Sequence, residues 1–158
     1  MCIQIKRSIQ NRIYEIRNER VMLDFDLAEL YEVETKALNQ AVKRNIERFP
    51  ADFMFRLSLF EWKGMRSQIV TASGGTSLRP GSLVASQNKR NTNFTPYAFT
   101  EQGVAMLSGV LHSNKAVNMN IAIMRVFVEI RKILLKENDL KKQLKEIKNR
   151  LGEHDVQL

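Results

Sequence analysis

The stretch "DFDLAELYEVETKALNQAVKRN", Asp24–Asn45, decides the fold, because it contains two short helical patterns with only a few residues between them. In each half, apolar residues recur at the three- and four-residue spacing of a buried helix face. The halves differ in charge, since residues 24–34 carry a net charge of −5 and residues 35–48 carry +3. A first helix, a sharp turn and a second helix that is presented outward form a helix-turn-helix, which we predict here.

The limits of the two helices follow from residues that commonly begin helices. Asp24 or Asp26 can cap the first helix, which is expected to end near Tyr31. Thr35 can cap the second helix, which is expected to run to about Arg48. The side chains predicted to meet between the two helices are Leu27, Tyr31, Val33, Leu38 and Ala41.

The second helix is predicted to have a buried side and an outward side. The outward side carries amides, which can pair with adenine, and cations, which can pair with guanine or phosphate. An ordinary solvated helix surface carries the same residue types, so these residues alone leave both interpretations open. The buried side is predicted to consist of Leu38, Ala41, Val42, Asn45 and Ile46. The predicted DNA contacts are Thr35, Lys36, Asn39, Gln40, Lys43, Arg44 and Arg48, together with Lys89 and Arg90 from a later loop.

The flanking sequence predicts a small antiparallel sheet. Apolar and polar residues alternate on both sides of Asn18-Glu19, which indicates a hairpin. Phe53–Leu57 has the aromatic composition of a strand, and residues 94–99 predict another. Because Phe53 and Phe55 would share one strand face, core packing accounts for these aromatics better than stacking on nucleic acid bases.

Further helices and one long loop are predicted around this sheet. Ser58 and Glu61 have the spacing of a capping box, so a helix is expected to begin there. Residues 71–93 are rich in Ser, Gly, Asn and Thr and predict a long loop. Thr100 can cap a helix that runs through Leu111.

The last part of the sequence predicts one long helix. Ser113 can cap it, and neither proline nor glycine occurs from residue 114 to residue 151. Its second half has the apolar spacing of a coiled coil, with Glu137 as one charged interruption. We therefore expect a globular part, residues 1–125, a stem, residues 126–158, and homo-oligomer formation through the stem. The stripe could instead fold back on its own domain or bind a segment further along. It consists of Val126, Ile130, Ile133, Glu137, Leu140, Leu144, Ile147 and Leu151.

The composition is that of a basic, soluble globular protein. Of the 158 residues, 44% are hydrophobic and 27% are charged, and the net charge of +8 favours a polyanionic partner such as nucleic acid. The single cysteine, Cys2, permits no intrachain disulfide. Since the sequence shows neither a signal peptide nor a transmembrane span, we expect a cytoplasmic protein that does not enter the membrane.

The sequence contains no pattern that predicts catalysis. Its two histidines and one cysteine form no metal-ligand spacing, and the glycines of "SGGTSLRPGS" lack the Gly-Lys-Ser/Thr of a phosphate-binding loop. The carboxylates Asp24 and Asp26 are better interpreted as helix caps than as an acid and base pair. We therefore predict that the protein is not an enzyme and has no metal or other cofactor.

Two segments of the sequence resemble a known family. "RVMLDFDLAELYEVETKALNQAVKRNIERFPADFMFRLS" and "PYAFTEQGVAMLSGVLHSNKAVNMNIAIMRVF" are similar to the phage KilA-N/Bro-N group, and most similar to its ORF-six-N branch. The two segments cover most of residues 15–130. Glu32 departs from the pattern, because the family typically has glycine at this turn position.

The resemblance implies a function that the residues alone leave open. Members of the group are described as phage or prophage regulators that bind double-stranded DNA, or as antirepressors. With the patterns above, it predicts an α+β fold with a helix-turn-helix-like unit, a small antiparallel sheet, further helices and a C-terminal coiled-coil helix. We expect sequence-specific DNA binding through helix 35–48. Antirepression through contact with a repressor protein is the alternative, and a phage nuclease is a weaker one.

Overall fold

The computed structural model describes residues 3–72 and 95–156, and these form an α+β fold, as the sequence predicts. The predicted loop at 71–93 lies largely outside the described residues, as do Lys89 and Arg90. The helices are α1 (Ile3–Gln10), α2 (Asp24–Tyr31), α3 (Thr35–Arg44), α4 (Leu59–Ala72), α5 (Glu101–Leu107) and α6 (Asn114–Val156), with a 3₁₀ helix at Ile46–Arg48. The strands are β1 (Ile13–Ile16), β2 (Glu19–Leu23), β3 (Met54–Arg56) and β4 (Tyr97–Thr100).

The four described strands form one antiparallel sheet in the order β1-β2-β4-β3. β1 and β2 form the predicted hairpin, but its turn residues are Arg17 and Asn18 rather than Asn18 and Glu19. Both have positive φ, 54° and 62°. A two-residue turn with two positive φ values matches the right-handed twist of the strands it joins. The non-glycine Arg17 is held there by bidentate hydrogen bonds to Glu61, at 3.0 and 2.9 Å.

The two faces of the sheet cover two separate apolar clusters. Met22 and Met54 both pair with Phe99 of β4, so these buried side chains form a row across one face. This row belongs to the main core, with α2, α3, α5 and α6. On the opposite face, β2 and β4 pack against Trp62 and Met65 of α4. Successive side chains of a strand point to opposite faces, which explains why neighbouring residues enter different clusters.

Two predicted helix starts are confirmed by hydrogen bonds. At α4, the Ser58 amide donates to Glu61 Oε1 (3.0 Å) and the Glu61 amide donates to Ser58 Oγ (3.2 Å), which completes the capping box. At α5, Thr100 Oγ1 accepts from the Gly103 amide. A Cβ at Gly103 would lie 2.2 Å from the Phe53 carbonyl oxygen, so glycine lets α5 approach the backbone before β3.

Other predicted limits are wrong by a few residues. Thr35 is the first residue of α3 rather than its cap, and the preceding Glu34 makes no capping side-chain hydrogen bond. α3 ends at Arg44, because Asn45 leaves helical geometry with φ −122° and ψ 34°, and Arg48 lies in the 3₁₀ helix that follows. α5 ends at Leu107 rather than Leu111.

Asp24 and Asp26 do not cap α2 as predicted. The cap residue is Leu23, whose apolar side chain makes no capping hydrogen bond. Both aspartates lie inside the helix and are buried. Arg12, in the turn between α1 and β1, pairs with Asp26, and Asn39 of α3 donates a hydrogen bond to Asp24. Two apolar predictions also fail, since Val33 and Ile46 are exposed at the surface.

The first helix, α1, was not predicted. It packs against α6, and its only buried residue, Ile9, is completely inaccessible in the main core. An ion pair between Lys6 and Glu129 joins the same two helices. The N-terminal segment therefore stabilises the globular part rather than extending from it.

The long C-terminal helix is confirmed. Ser113 Oγ accepts from the Ala116 amide at its start, as predicted, and the 43 residues of α6 span about 65 Å at about 1.5 Å per residue. Its first part belongs to the core, through Ile123, Val126 and Phe127. From Leu135 onward, each residue whose exposure the structure describes is exposed.

Candidate nucleic-acid interface

The turn between α2 and α3 keeps the tight geometry of a helix-turn-helix. Glu32 has φ 56° and ψ 42°, the left-handed conformation. The amides of Glu32 and Val33 donate to the carbonyl oxygens of Glu29 (3.2 Å) and Ala28 (2.9 Å). These bonds satisfy carbonyls at the end of α2 and turn the chain sharply into α3. The turn therefore keeps the geometry that glycine would adopt more easily, with a glutamate instead.

One side of α3 is buried and the other is presented to solvent. Leu38 and Val42 are buried in the main core, and α3 packs chiefly against α2. The predicted core members Ala41 and Asn45 are only half-buried. Four of the predicted contact residues are exposed on the outward side: Lys36, Gln40, Lys43 and Arg44.

Asn39 was predicted to face outward, and this placement is wrong. Its side chain is half-buried, and its Nδ2 donates to Asp24 Oδ2 at 3.0 Å. Its Oδ1 is buried as well and has no hydrogen-bond partner among the described residues. Asn39 lies about 100° around the helix from Leu38, at the border between the two sides, so the nearby aspartate decides its orientation. Asn39 therefore links α3 to the start of α2.

A second buried aspartate, Asp26, lies on α2, close to Arg12 in the turn before β1 and to Tyr14 of β1. Burial raises the pKa of Asp26 to about 7, and the opposing attraction of Arg12 only partly offsets it. Arg12 Nε lies 3.7 Å from Asp26 Oδ1, and Arg12 Nη2 lies 3.2 Å from Glu29 Oε1. The nearby Tyr14 hydroxyl favours the ionised carboxylate, whereas the charges of Glu29 and Asp24 oppose it.

The end of α2 is fixed to the helices behind it by a buried polar chain. The Tyr31 hydroxyl donates to Asn120 Oδ1 of α6, and Asn120 Nδ2 donates to the Val104 carbonyl of α5 at 3.2 Å. Burial raises the pKa of Tyr31, so this hydroxyl keeps its proton. Lys115 of α6 also forms an ion pair with Glu32 at the turn. The helix-turn-helix is therefore held firmly against the core.

The remaining predicted contacts are Thr35, Arg48, Lys89 and Arg90. Thr35 is half-buried at its start. Arg48 is exposed in the 3₁₀ helix, with its guanidinium so close to Gly109 that a Cβ there would lie 3.0 Å from Nη1. Lys89 and Arg90 lie outside the described residues. Sequence reasoning missed Asp24 as the partner of Asn39, because only the packing of α2 against α3 brings them together.

A comparison with models of protein families identifies the family of this chain. The model of the ORF6N domain matches residues 11–110, well over half of the chain. The protein belongs to the ORF6N domain family. The ORF6N match includes the sheet and the helices from α2 to α5, whereas α1 and α6 lie outside it. No curated protein and no solved structure matches the chain.

The ORF6N family is associated with phages and is compatible with a regulatory role. It is a regulatory type of domain that is not known for enzymatic activity. Within residues 3–72 and 95–156, no helix has the length and apolar character needed to cross a membrane. The same residues contain no cluster of three or more His, Cys, Asp or Glu side chains arranged to hold a metal ion.

Proposed function

We propose that the protein is a phage-derived regulator of the KilA-N/Bro-N type that binds double-stranded DNA sequence-specifically, with α3 in the major groove. The observation that carries the proposal is the outward side of α3. It places Gln40 among the cations Lys36, Lys43 and Arg44, and a fixed helix-turn-helix presents all four to solvent. An amide among cations suits a helix that reads base edges between two phosphate backbones.

The acidic first half of the motif does not cancel this basic surface. Asp24 is buried and accepts a hydrogen bond from Asn39, while Arg12 pairs with both Asp26 and Glu29. Glu32 is paired with Lys115. Three of the five acidic residues of 24–34, Asp26, Glu29 and Glu32, are therefore paired with a cation, and a fourth, Asp24, is buried. This weakens their opposition to the exposed cations of α3.

The first test is the salt dependence of binding to duplex DNA. Each neutralised phosphate contributes roughly −0.9 to the slope of log K against log salt concentration. For about five phosphate contacts, fluorescence anisotropy should give a slope of about −4 to −5. Absence of binding at low salt, or binding that salt does not weaken, would contradict the proposal.

The second test locates the DNA contacts on α3. Lys43→Ala and Arg44→Ala should weaken binding to every sequence and make the slope less negative by about one each. Lys145→Ala is the matched control, because it removes an exposed cation from the second half of α6. If the control weakens binding as much as the α3 variants do, net charge rather than α3 governs binding.

An antirepressor that contacts a repressor protein is the second candidate function. It is favoured by a groove of about 830 Å³ between α5 and α6, whose apolar lining includes the exposed Val117, Ile121 and Val128. Exposed apolar patches in grooves commonly mark protein contacts. A gel shift with random duplex DNA separates the candidates, because a protein that acts only through a repressor would not shift DNA by itself.

A further inference from the structure

Residues 133–151 of α6, within the predicted stem, carry a part of the apolar stripe that no other described residue covers. Each of the five apolar side chains in this part of the stripe is between 48% and 63% exposed, whereas Val126, at the beginning of the predicted stripe, is fully buried in the core. The stripe therefore continues outward from the core without folding back on it. Its apolar members are Ile133, Leu140, Leu144, Ile147 and Leu151.

The charges beside the stripe indicate what kind of helix it can accept. In a coiled coil, the residues next to the apolar seam face the partner helix and select it by charge. In the heptad repeat, Leu144 and Leu151 occupy the seam position a, and Leu140 and Ile147 occupy the seam position d. The positions that flank this seam, e and g, are occupied between residues 136 and 150 by Lys136, Lys141, Gln143, Lys148 and Arg150. Four of these five are cations, and all five are exposed.

A second copy of this chain would bring cation against cation. In a parallel pair, Lys136 of one copy would face Lys141 of the other, and Glu137 would face its own copy inside the seam. In an antiparallel pair, the e positions, Lys141 and Lys148, would face each other, and so would the g positions, Lys136 and Arg150. Like charges in these places disfavour a pairing that the apolar residues alone would permit.

We propose that the stem binds an acidic amphipathic helix of a partner protein, with apolar residues against the stripe and glutamate or aspartate against its flanking cations. A basic partner residue opposite Glu137 would complete the charge complementarity. The inference does not depend on DNA binding, because residues 133–151 lie on a different helix from α3. Self-association through the same stripe stays the competing prediction, and the experiment below separates the two.

The first measurement uses the full chain and two synthetic three-heptad peptides. Both peptides have isoleucine and leucine at the seam and lysine opposite Glu137, but one has glutamate and the other lysine at its e and g positions. The acidic peptide should bind about ten-fold or more tightly than the basic one, since four pairs change from repulsive to attractive. Equal affinities, or no binding of the acidic peptide, would overturn the proposal.

The second measurement places the binding on the stripe. Leu144→Asp should abolish binding of the acidic peptide, because it inserts a carboxylate into the seam. Leu135→Asp is the matched control: Leu135 is an equally exposed leucine of the same helix but lies on the side away from the stripe. Loss of binding in both variants, or in neither, would show that the peptide binds elsewhere.

The third measurement reverses the selection by charge. The wild-type chain should sediment as a monomer at micromolar concentration. In the double variant Lys141→Glu, Lys148→Glu, the g position Lys136 would face glutamate on a second copy, so this variant should self-associate and lose its preference for the acidic peptide. A wild-type dimer that Leu144→Asp dissociates would establish self-association instead. Binding of the stripe to anionic phosphatidylglycerol vesicles but not to the acidic peptide would establish a lipid partner.

Discussion

Asn39 and Gln40 are adjacent amides on α3 that have different surroundings. Gln40 is exposed on the outward side, whereas Asn39 donates a hydrogen bond to Asp24. Gln40→Ala should therefore reduce affinity for the best DNA site by roughly 1–3 kcal/mol, relax preference at one base pair and leave stability unchanged. Asn39→Ala should lower stability by about 1–2 kcal/mol and retain the site preference. Binding to a site selected from a random pool, together with melting curves, distinguishes these outcomes. If Gln40→Ala keeps the full preference, this amide does not read the sequence.

Asp26 should make the stability of the protein depend on pH near neutrality. Burial raises the pKa of Asp26 in the folded state to about 7 from an ordinary value of 3.8. The stability that the protonated carboxyl group contributes is therefore complete below pH 3.8 and is lost as the pH rises through 7. Asp26→Asn cannot ionise, so at pH 8 it should be more stable than the wild type, by on the order of 1–3 kcal/mol. Urea denaturation between pH 4 and 8 measures the difference.

The matched control for this prediction is Asp52→Asn, because Asp52 is an exposed carboxylate. The stability of the Asp52→Asn variant should change with pH in the same way as the stability of the wild type. Identical pH dependence in the wild type and in Asp26→Asn would show that Asp26 does not govern it.

The conformation of Glu32 in the tight turn between α2 and α3 is expected to lower the stability of the protein. Glu32 holds a left-handed conformation that is unfavourable for a residue with a Cβ, so Glu32→Gly should stabilise the protein by about 1 kcal/mol. Its ion pair with Lys115 joins two largely exposed side chains and contributes little. Glu32→Gln, which removes the charge but keeps the side chain, should change stability by only a few tenths of a kcal/mol. A larger loss in Glu32→Gln than gain in Glu32→Gly would show that the ion pair dominates.

Several elements with a clear local pattern were predictable, whereas the weakly patterned α1 and the features that depend on packing were not. The hairpin and the capping box of Ser58 and Glu61 follow from residues a few positions apart, so their patterns are visible in the sequence. α1 was missed because it is short and buries only Ile9. The outward cations of α3 follow from helical periodicity, whereas the orientation of Asn39 depends on Asp24, fifteen residues earlier.

At the scale of the whole molecule, α1 joins the beginning of the described chain to its last helix. Ile9 of α1 is completely buried in the main core, so Ile9→Ala should destabilise the protein by about 2–4 kcal/mol. Ile5→Ala is the matched control on the same helix, because Ile5 is exposed and should contribute less than about 1 kcal/mol. Thermal denaturation of the two variants compares them. Equal losses would place the stabilising contacts of α1 elsewhere.

The position of β4 in the sheet has a consequence for the order in which the chain folds. β4 lies between β2 and β3, although it follows both in the sequence, and β3 has no other neighbour in the described sheet. During synthesis the hairpin can form as soon as it leaves the ribosome, but β3 must wait for Tyr97–Thr100 to arrive. Distant pairings of this kind slow folding, because a long loop must close before they form. Pulsed hydrogen exchange during refolding should therefore protect the β1 and β2 amides that pair within the hairpin before those of β3; simultaneous protection would mean that the sheet forms in one step.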